Sequence, residues 1–312
     1  MHPHEIDRLA AALDSAVLES LNLAGGFSHE TCLLRLPDGP VVARLGSADP
    51  TIEAAVMAAA SRHVPVPEVL HVLPAVDGVR PAIVLAYVTG TPLSRVLDDG
   101  ADRAALVELG KAVGRVVAAV SAETFDRPGF FTDRDLTVRA GPPWSEQLAE
   151  FAADCMAATP EDRLDVATRS AWIALCTDHA PALRSTDGLA HLVHADVNPK
   201  NILVSRTADG WRVDALLDWE FSYSGCPHGD AANMLRFGAD YPDGFLDGFR
   251  SAYAAHLPEA VGVDDWAYVG RVLDMFALSD LVRRPVGHQI ADQAAEQIRR
   301  WVADGVPDSR PG

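Results

Sequence analysis

The chain has 312 residues, 48% of them hydrophobic and 22% charged, an ordinary globular composition with length enough for two lobes. Its formal net charge of −18 leaves no basic patch to neutralise phosphates, which argues against nucleic-acid binding and favours cationic small molecules. No run reaches the roughly 18 apolar residues of a membrane span, no apolar signal core opens the chain, and the four scattered cysteines form no Cys-x-x-Cys pair, so the expected setting is a reducing cytoplasm away from the membrane.

Ile6, Leu9, Leu13, Val17 and Leu21 recur at helical spacing and predict an amphipathic helix over 5–22. The bend Gly25-Gly26-Phe27-Ser28 then leads into a hairpin whose turn is Pro37-Asp38-Gly39-Pro40 and whose second strand carries Arg44. Two glycines let a backbone approach a ligand closely, and Ser28 offers a hydroxyl and an amide to a phosphate. Asp49-Pro50 reads as an N-cap followed by proline at the first helical position, opening a helix over 51–63 with Glu53 in its first turn. Residues 64–70 are stiffened by Pro65 and Pro67, and 82–88 read as a buried strand. Beyond Thr91 the pattern is helical. One stripe is Leu106, Leu109, Val113, Val116 and Val120, a second is Trp144, Leu148, Phe151 and Cys155, and a third lies within 163–184. Further helices follow a Gly225-Cys226-Pro227-His228-Gly229-Asp230 segment and occupy the neighbourhoods of Phe249, Val272 and Ile298.

The most informative stretch is Leu192-Val193-His194-Ala195-Asp196-Val197-Asn198-Pro199-Lys200-Asn201-Ile202-Leu203-Val204. Two short apolar runs, strand-like in length and composition, bracket a polar loop holding Asp196 and Asn201. A third apolar run, 213–217, delivers Asp218, Trp219 and Glu220 after a turn at Ala208-Asp209-Gly210. Two carboxylates and an amide carbonyl at strand ends are the hard oxygen ligands and proton acceptor of magnesium-dependent phosphoryl transfer. The chain has no Walker A sequence, so a P-loop fold is not a competitor.

His194-Ala195-Asp196 with Asn201, followed by Leu217-Asp218-Trp219-Glu220, resembles the catalytic loop and metal-binding segment of the aminoglycoside phosphotransferases. The resemblance covers about residues 20–303 and is specific over 193–233. It implies an α+β, bilobal, protein-kinase-like fold: a nucleotide-binding lobe of antiparallel sheet over 1–89, ending in a hinge, and a larger, mainly helical catalytic and acceptor-binding lobe over 90–312. It implies ATP or GTP with Mg²⁺ as cofactors. Asp196 would be the catalytic base and Asn201 and Asp218 the metal ligands. Arg44, at a position where the family more often has Lys, would pair with Glu53 and hold phosphates, with Ser28 over them. Leu85, Ala86, Tyr87 and Val88 would form the purine-binding hinge, and Asp230 would brace the catalytic loop.

Asn198 and Lys200 depart from the family pattern, and Lys200 is expected near the γ-phosphate. Asp274 and Asp280, lying among apolar helix positions, are the expected acceptor carboxylates, with Glu220 beside them. The implied acceptor is a hydroxyl of a small cationic antibiotic, an aminoglycoside or a cationic cyclic peptide, bound by a monomer or weak homodimer. An amino-alcohol or amino-sugar kinase and a nucleotide-binding scaffold without transfer activity stand as alternatives. A protein kinase is disfavoured: only 11 residues separate Asp218 from Asp230, and no Ala-Pro-Glu follows.

Overall fold

A computed structural model describes residues 1–23, 30–46, 49–76, 78–262, 264–285 and 287–309. Ser28 lies outside the described residues. The smaller lobe is an antiparallel sheet of β1 (Glu19–Asn22), β2 (Glu30–Leu36), β3 (Gly39–Leu45), β4 (Val69–Leu73) and β5 (Ala82–Ala86), in the order β1-β2-β3-β5-β4. Alternation along the strands sorts its side chains onto two faces. Cys32, Leu34, Val41, Ala43 and Val84 pack under Leu9 of α1 (Pro3–Ala12). Val42, Ile83 and Leu85 face the other way, toward Val56 and Met57 of α2 (Pro50–Ala60) and into the larger lobe. The expected cap of α2 is present, with the Thr51 N–H donating to Asp49 Oδ1 at 2.9 Å.

The first helix is shorter than its periodicity predicts. It ends at Ala12, and Asp14 takes a left-handed φ of +47°, which turns the chain away from the helix axis. Glu19–Asn22 then extends along β2, where a ladder of backbone bonds satisfies groups that a free helix end would leave exposed. The recurrence of Val17 and Leu21 marked no continuing helix.

The larger lobe opens with β6 (Thr91–Pro92), α3 (Leu93–Asp98), α4 (Arg103–Val120), β7 (Gly129–Phe130), α5 (Trp144–Ala158) and α6 (Val166–His179). A β-rich insert follows: β8 (His191–Val193), β9 (Ile202–Thr207), β10 (Gly210–Leu216) and β11 (Tyr223–Gly225). The chain closes with α7 (His228–Leu235), α8 (Phe245–His256), α9 (Trp266–Leu281) and α10 (Gln289–Asp304). One core, containing Leu93, Val204, Trp219 and Phe249, runs continuously beneath the cleft between the lobes. A second gathers Cys155, Trp172, Ile298 and Trp301 around α9. The β9–β10 hairpin places the polar loop before β9 and the Asp218 segment after β10 side by side at the mouth of the cleft.

Candidate active site

The turn after β8 is held by one buried carboxylate. Asp230, in the first turn of α7, accepts the N–H of His194 at 2.9 Å and that of Ala195 at 2.8 Å. Burial pushes the Asp230 carboxyl up, to about 7, and these two donors work in the opposite direction. Ala195 has φ of +68°, a conformation costly for a residue with a Cβ and one that the two bonds hold in place. The result aims Asp196 into the cleft. His194 is fully buried; its Nδ1 accepts the Asp196 N–H at 3.2 Å, so its Nε2–H donates to the Leu217 carbonyl at 2.9 Å. Burial lowers its pKa to about 4, and the ring is neutral, with its centroid 4.4 Å from that of Trp219.

Leu217 ties the two functional segments together in both directions. Its carbonyl takes the His194 proton, and its N–H donates to Asn201 O at 2.8 Å. The next residue, Asp218, has φ of +68°, a second non-glycine residue in the left-handed region within the same cleft. Such strain at two neighbouring points persists because the surrounding bonds over-determine the backbone.

Asp196 accepts from two amides. Asn201 Nδ2 reaches its Oδ2 at 2.8 Å, and Asn198 Nδ2 reaches its Oδ1 at 3.1 Å; both also donate to its backbone carbonyl. Burial, and then the charge of Asp218, push the Asp196 carboxyl up to about 6, while Arg236 and the two amides pull the other way. Asn201 spends its Nδ2 on Asp196, which leaves its Oδ1 as its remaining acceptor. Asn198 Oδ1 receives the Lys200 N–H at 3.0 Å, and the Lys200 side chain is exposed on the rim.

Across the cleft, Arg44 reaches down from β3. Its Nη1 engages Glu53 of α2, its Nη2 lies 2.6 Å from Asp218 Oδ1, and Glu220 stands 3.9 Å away. Burial works against the guanidinium charge, but Glu53, Asp218 and Glu220 outweigh it and raise the pKa.

These groups line a cleft of about 440 Å³ that contains Arg44, Asp196, Lys200, Asn201, Asp218 and Glu220. Glu53 sits behind Arg44, and Glu220 is beside that cation in the cleft wall. Leu85 and Ala86 end β5, Tyr87 and Val88 follow it, and none of the four is among the residues lining this cleft. The Ala86 N–H is committed to Glu68 O at 2.8 Å, which removes one of the expected hinge donors.

The acceptor carboxylates expected from sequence are corrected by the structure. Asp274 has a side chain at 0% exposure, paired with Arg236. Asp280 is 53% exposed and paired with Arg283 one turn on. Neither lines the cleft; apolar neighbours marked burial for the first and an ordinary solvated turn for the second. Two further acids that do line the cleft are Asp98 and Asp240, and Asn233, Arg236 and Tyr241 belong to the same wall. One signal for this face was available: Asp230, Asn233 and Arg236 recur every three residues along α7 and its C-terminal cap.

Among the described residues, no three His, Cys, Asp or Glu side chains cluster tightly enough to hold a metal by themselves. The available set is one charged oxygen ligand, Asp218, and one amide oxygen, Asn201 Oδ1. That suits a cation which keeps several waters and takes the rest of its ligands from substrate phosphates, as Mg²⁺ does.

Solved structures share the architecture, three of them as follows. Aminoglycoside phosphotransferase APH(4)-Ia superposes with a TM-score of 0.73 at 18% identity, over 98% of this chain and 100% of that one. A thermostable mutant of the same protein, in ternary complex with ADP and hygromycin B, gives 0.71 at 17% identity over 96% and 98%. A mutant of an aminoglycoside 2′-phosphotransferase-IIIa, in its GDP complex, gives 0.67 at 16% identity over 96% and 97%. No curated protein matches the sequence. The family model of the phosphotransferase enzyme family matches residues 21–266, which span the sheet, the Asp196 loop and the Asp218 segment. With the kinase-like fold and that match together, the chain belongs to the phosphotransferase enzyme family and is a phosphotransferase with an alcohol group as acceptor.

Proposed function

We propose that this enzyme transfers the γ-phosphate of ATP or GTP, with Mg²⁺, to a hydroxyl of a small cationic aminated antibiotic, and so confers resistance on a cell that holds it in the cytoplasm. The observation that carries the reading is the facing pair of Asp196 and Asp218, the first cradled by two amides and the second against a buried cation. Complexes of similarly folded proteins with ADP and hygromycin B, and with GDP, support a nucleotide and an aminated acceptor.

Asp196 accepts the hydroxyl proton and, above all, orients the attacking oxygen, since a loose phosphoryl transition state needs little deprotonation early. With its carboxyl pushed up to about 6, it is ionised at neutral pH yet a stronger base than an ordinary aspartate. Arg44 holds the non-transferred phosphates, with Glu53 fixing its fork. Asn201 Oδ1 and Asp218 are the groups that would hold Mg²⁺, which supplies charge neutralisation across the phosphates when bound. Asp98 and Asp240 offer carboxylates to acceptor amines. Lys200, on the rim, adds a cation near the transferred group.

The test is nucleotide consumption with Mg²⁺ against hygromycin B, a cationic cyclic-peptide antibiotic, a fructosamine and ethanolamine. Turnover dependent on one of the antibiotics supports the reading. Turnover with only the fructosamine or ethanolamine would make the enzyme a metabolic kinase, and nucleotide binding without any transfer would make it a scaffold.

A further inference from the structure

Arg236 stands at the end of α7, in the cleft wall that also contains Asp196. Its Nε donates to both oxygens of Asp274 at 3.0 Å, and its Nη2 donates to Asp274 Oδ1 as well. Asp274, on α9, is completely buried and spends its carboxylate on this one guanidinium and on a longer 3.4 Å contact from Asn233 Nδ2. A buried carboxylate gripping a guanidinium by two of its nitrogens fixes the plane and the direction of the third. That third nitrogen, Nη1, has no protein partner among the described residues and is not sealed in the core. Arg236 therefore offers a preset N–H pair to whatever occupies the cleft. Beside it, Asn233 is 9% exposed, lines the same wall, and has a buried Oδ1 without a hydrogen-bond partner among the described residues. A donor and an acceptor thus wait together on one helix, next to the loop that carries Asp196.

A guanidinium does not serve an ammonium group; it serves oxygen. Asp98 and Asp240 meet amines, so this wall meets something else on the same molecule. We propose that Arg236, held by Asp274, orients the acceptor by donating from Nη1 to an oxygen next to the hydroxyl that Asp196 receives, so that the substrate is a polyhydroxylated amine and not a simple amino alcohol. Asn233 Oδ1 accepts from a neighbouring hydroxyl of the same acceptor after a small side-chain rotation. The inference rests on the kinase reading above and narrows its substrate class.

The test is steady-state kinetics with the panel member that the unaltered enzyme uses best, measured for Arg236→Gln, Arg236→Lys and Asp274→Asn. Loss of one charge-assisted bond to the acceptor should raise the acceptor KM roughly 10- to 100-fold in Arg236→Gln, with the nucleotide KM moved by less than about twofold. Arg236→Lys should recover part of the loss, and Asp274→Asn, which loosens the guanidinium without removing it, should show a smaller rise. If Arg236→Gln does not fold, the double variant Arg236→Gln/Asp274→Asn replaces the ion pair with two hydrogen-bonding amides and takes the same measurement. An unchanged acceptor KM or a nucleotide KM that rises instead would overturn the proposal while leaving the kinase reading in place, and ethanolamine as the best acceptor would overturn the proposal and make the enzyme a metabolic kinase. Absence of transfer to every acceptor by the unaltered enzyme would overturn both.

Discussion

Arg44 Nη2 lies 2.6 Å from Asp218 Oδ1 while Nη1 of the same guanidinium engages Glu53. One cation thereby links β3, α2 and the segment after β10, and its charge sits between Glu53 on the helix of the smaller lobe and the Asp218 carboxylate of the larger one. The fork geometry matters, because an ammonium cannot present two separate donors in a plane.

Arg44→Lys keeps the charge and loses the fork. The expected outcome is a nucleotide KM raised about 10-fold, equivalent to ~1.4 kcal/mol, with the acceptor KM little changed. Arg44→Gln strands Glu53 in a buried site and should lower both thermal stability and kcat/KM further. Steady-state kinetics and a thermal melt check both; equal behaviour of the Lys variant and the native enzyme would remove the role given to the fork.

Buried neutral histidines make the fold acid-sensitive. Burial lowers both His194 and His228 to about 4, whereas an unfolded histidine titrates near ~6.5. Above that value neither state carries the proton and stability is unaffected. As pH falls from about 6.5 toward 4, the unfolded chain takes up protons that the folded one refuses, so stability falls by about 1.4 kcal/mol per pH unit for each ring. The raised carboxyls of Asp196 and Asp230 work the other way over this range, so the test is a comparison of chains: relative to the native enzyme, His228→Gln should gain up to about 2 kcal/mol on going from pH 7.5 to pH 5, read from urea midpoints. The same pH response in His228→Gln and the native enzyme would contradict the buried neutral state of that ring.

The packing of α4 on α8 depends on missing side chains. A Cβ built on Gly110 would lie 2.0 Å from Phe245 O, and one on Gly248 would lie 2.0 Å from Val107 O. Since both obstacles are backbone, the helices would have to separate. Gly110→Ala should destabilise the enzyme by about 1–3 kcal/mol despite the higher helix propensity of alanine. A chemical denaturation curve reads this directly, and a neutral or stabilising result would contradict the close approach.

That Asp196, Asn201 and Asp218 share one cleft was legible because they flank a single hairpin, and a hairpin compresses their juxtaposition into a short sequence. The bracing of His194 and Ala195 by Asp230 was legible for the same reason, and the Arg44–Glu53 contact joins neighbouring elements. The Arg236–Asp274 pair joins residues 38 apart on two helices whose relative placement no local pattern encodes. Read locally, an acid among apolar residues is equally a cleft carboxylate or a buried counterion, and only packing decides. β1 was hidden for a related reason: its pairing with β2 is a tertiary reward that outweighs the helical recurrence of Val17 and Leu21.

The most direct test of the central claim is acceptor-dependent nucleotide turnover by Asp196→Asn, with nucleotide affinity measured in parallel. Removing the proton acceptor while keeping the size of the side chain should cost about 10²–10⁴ in kcat and leave nucleotide affinity within a few-fold. Turnover equal to that of the native enzyme would show that Asp196 is not the group that receives the hydroxyl, and the account of the site would fail.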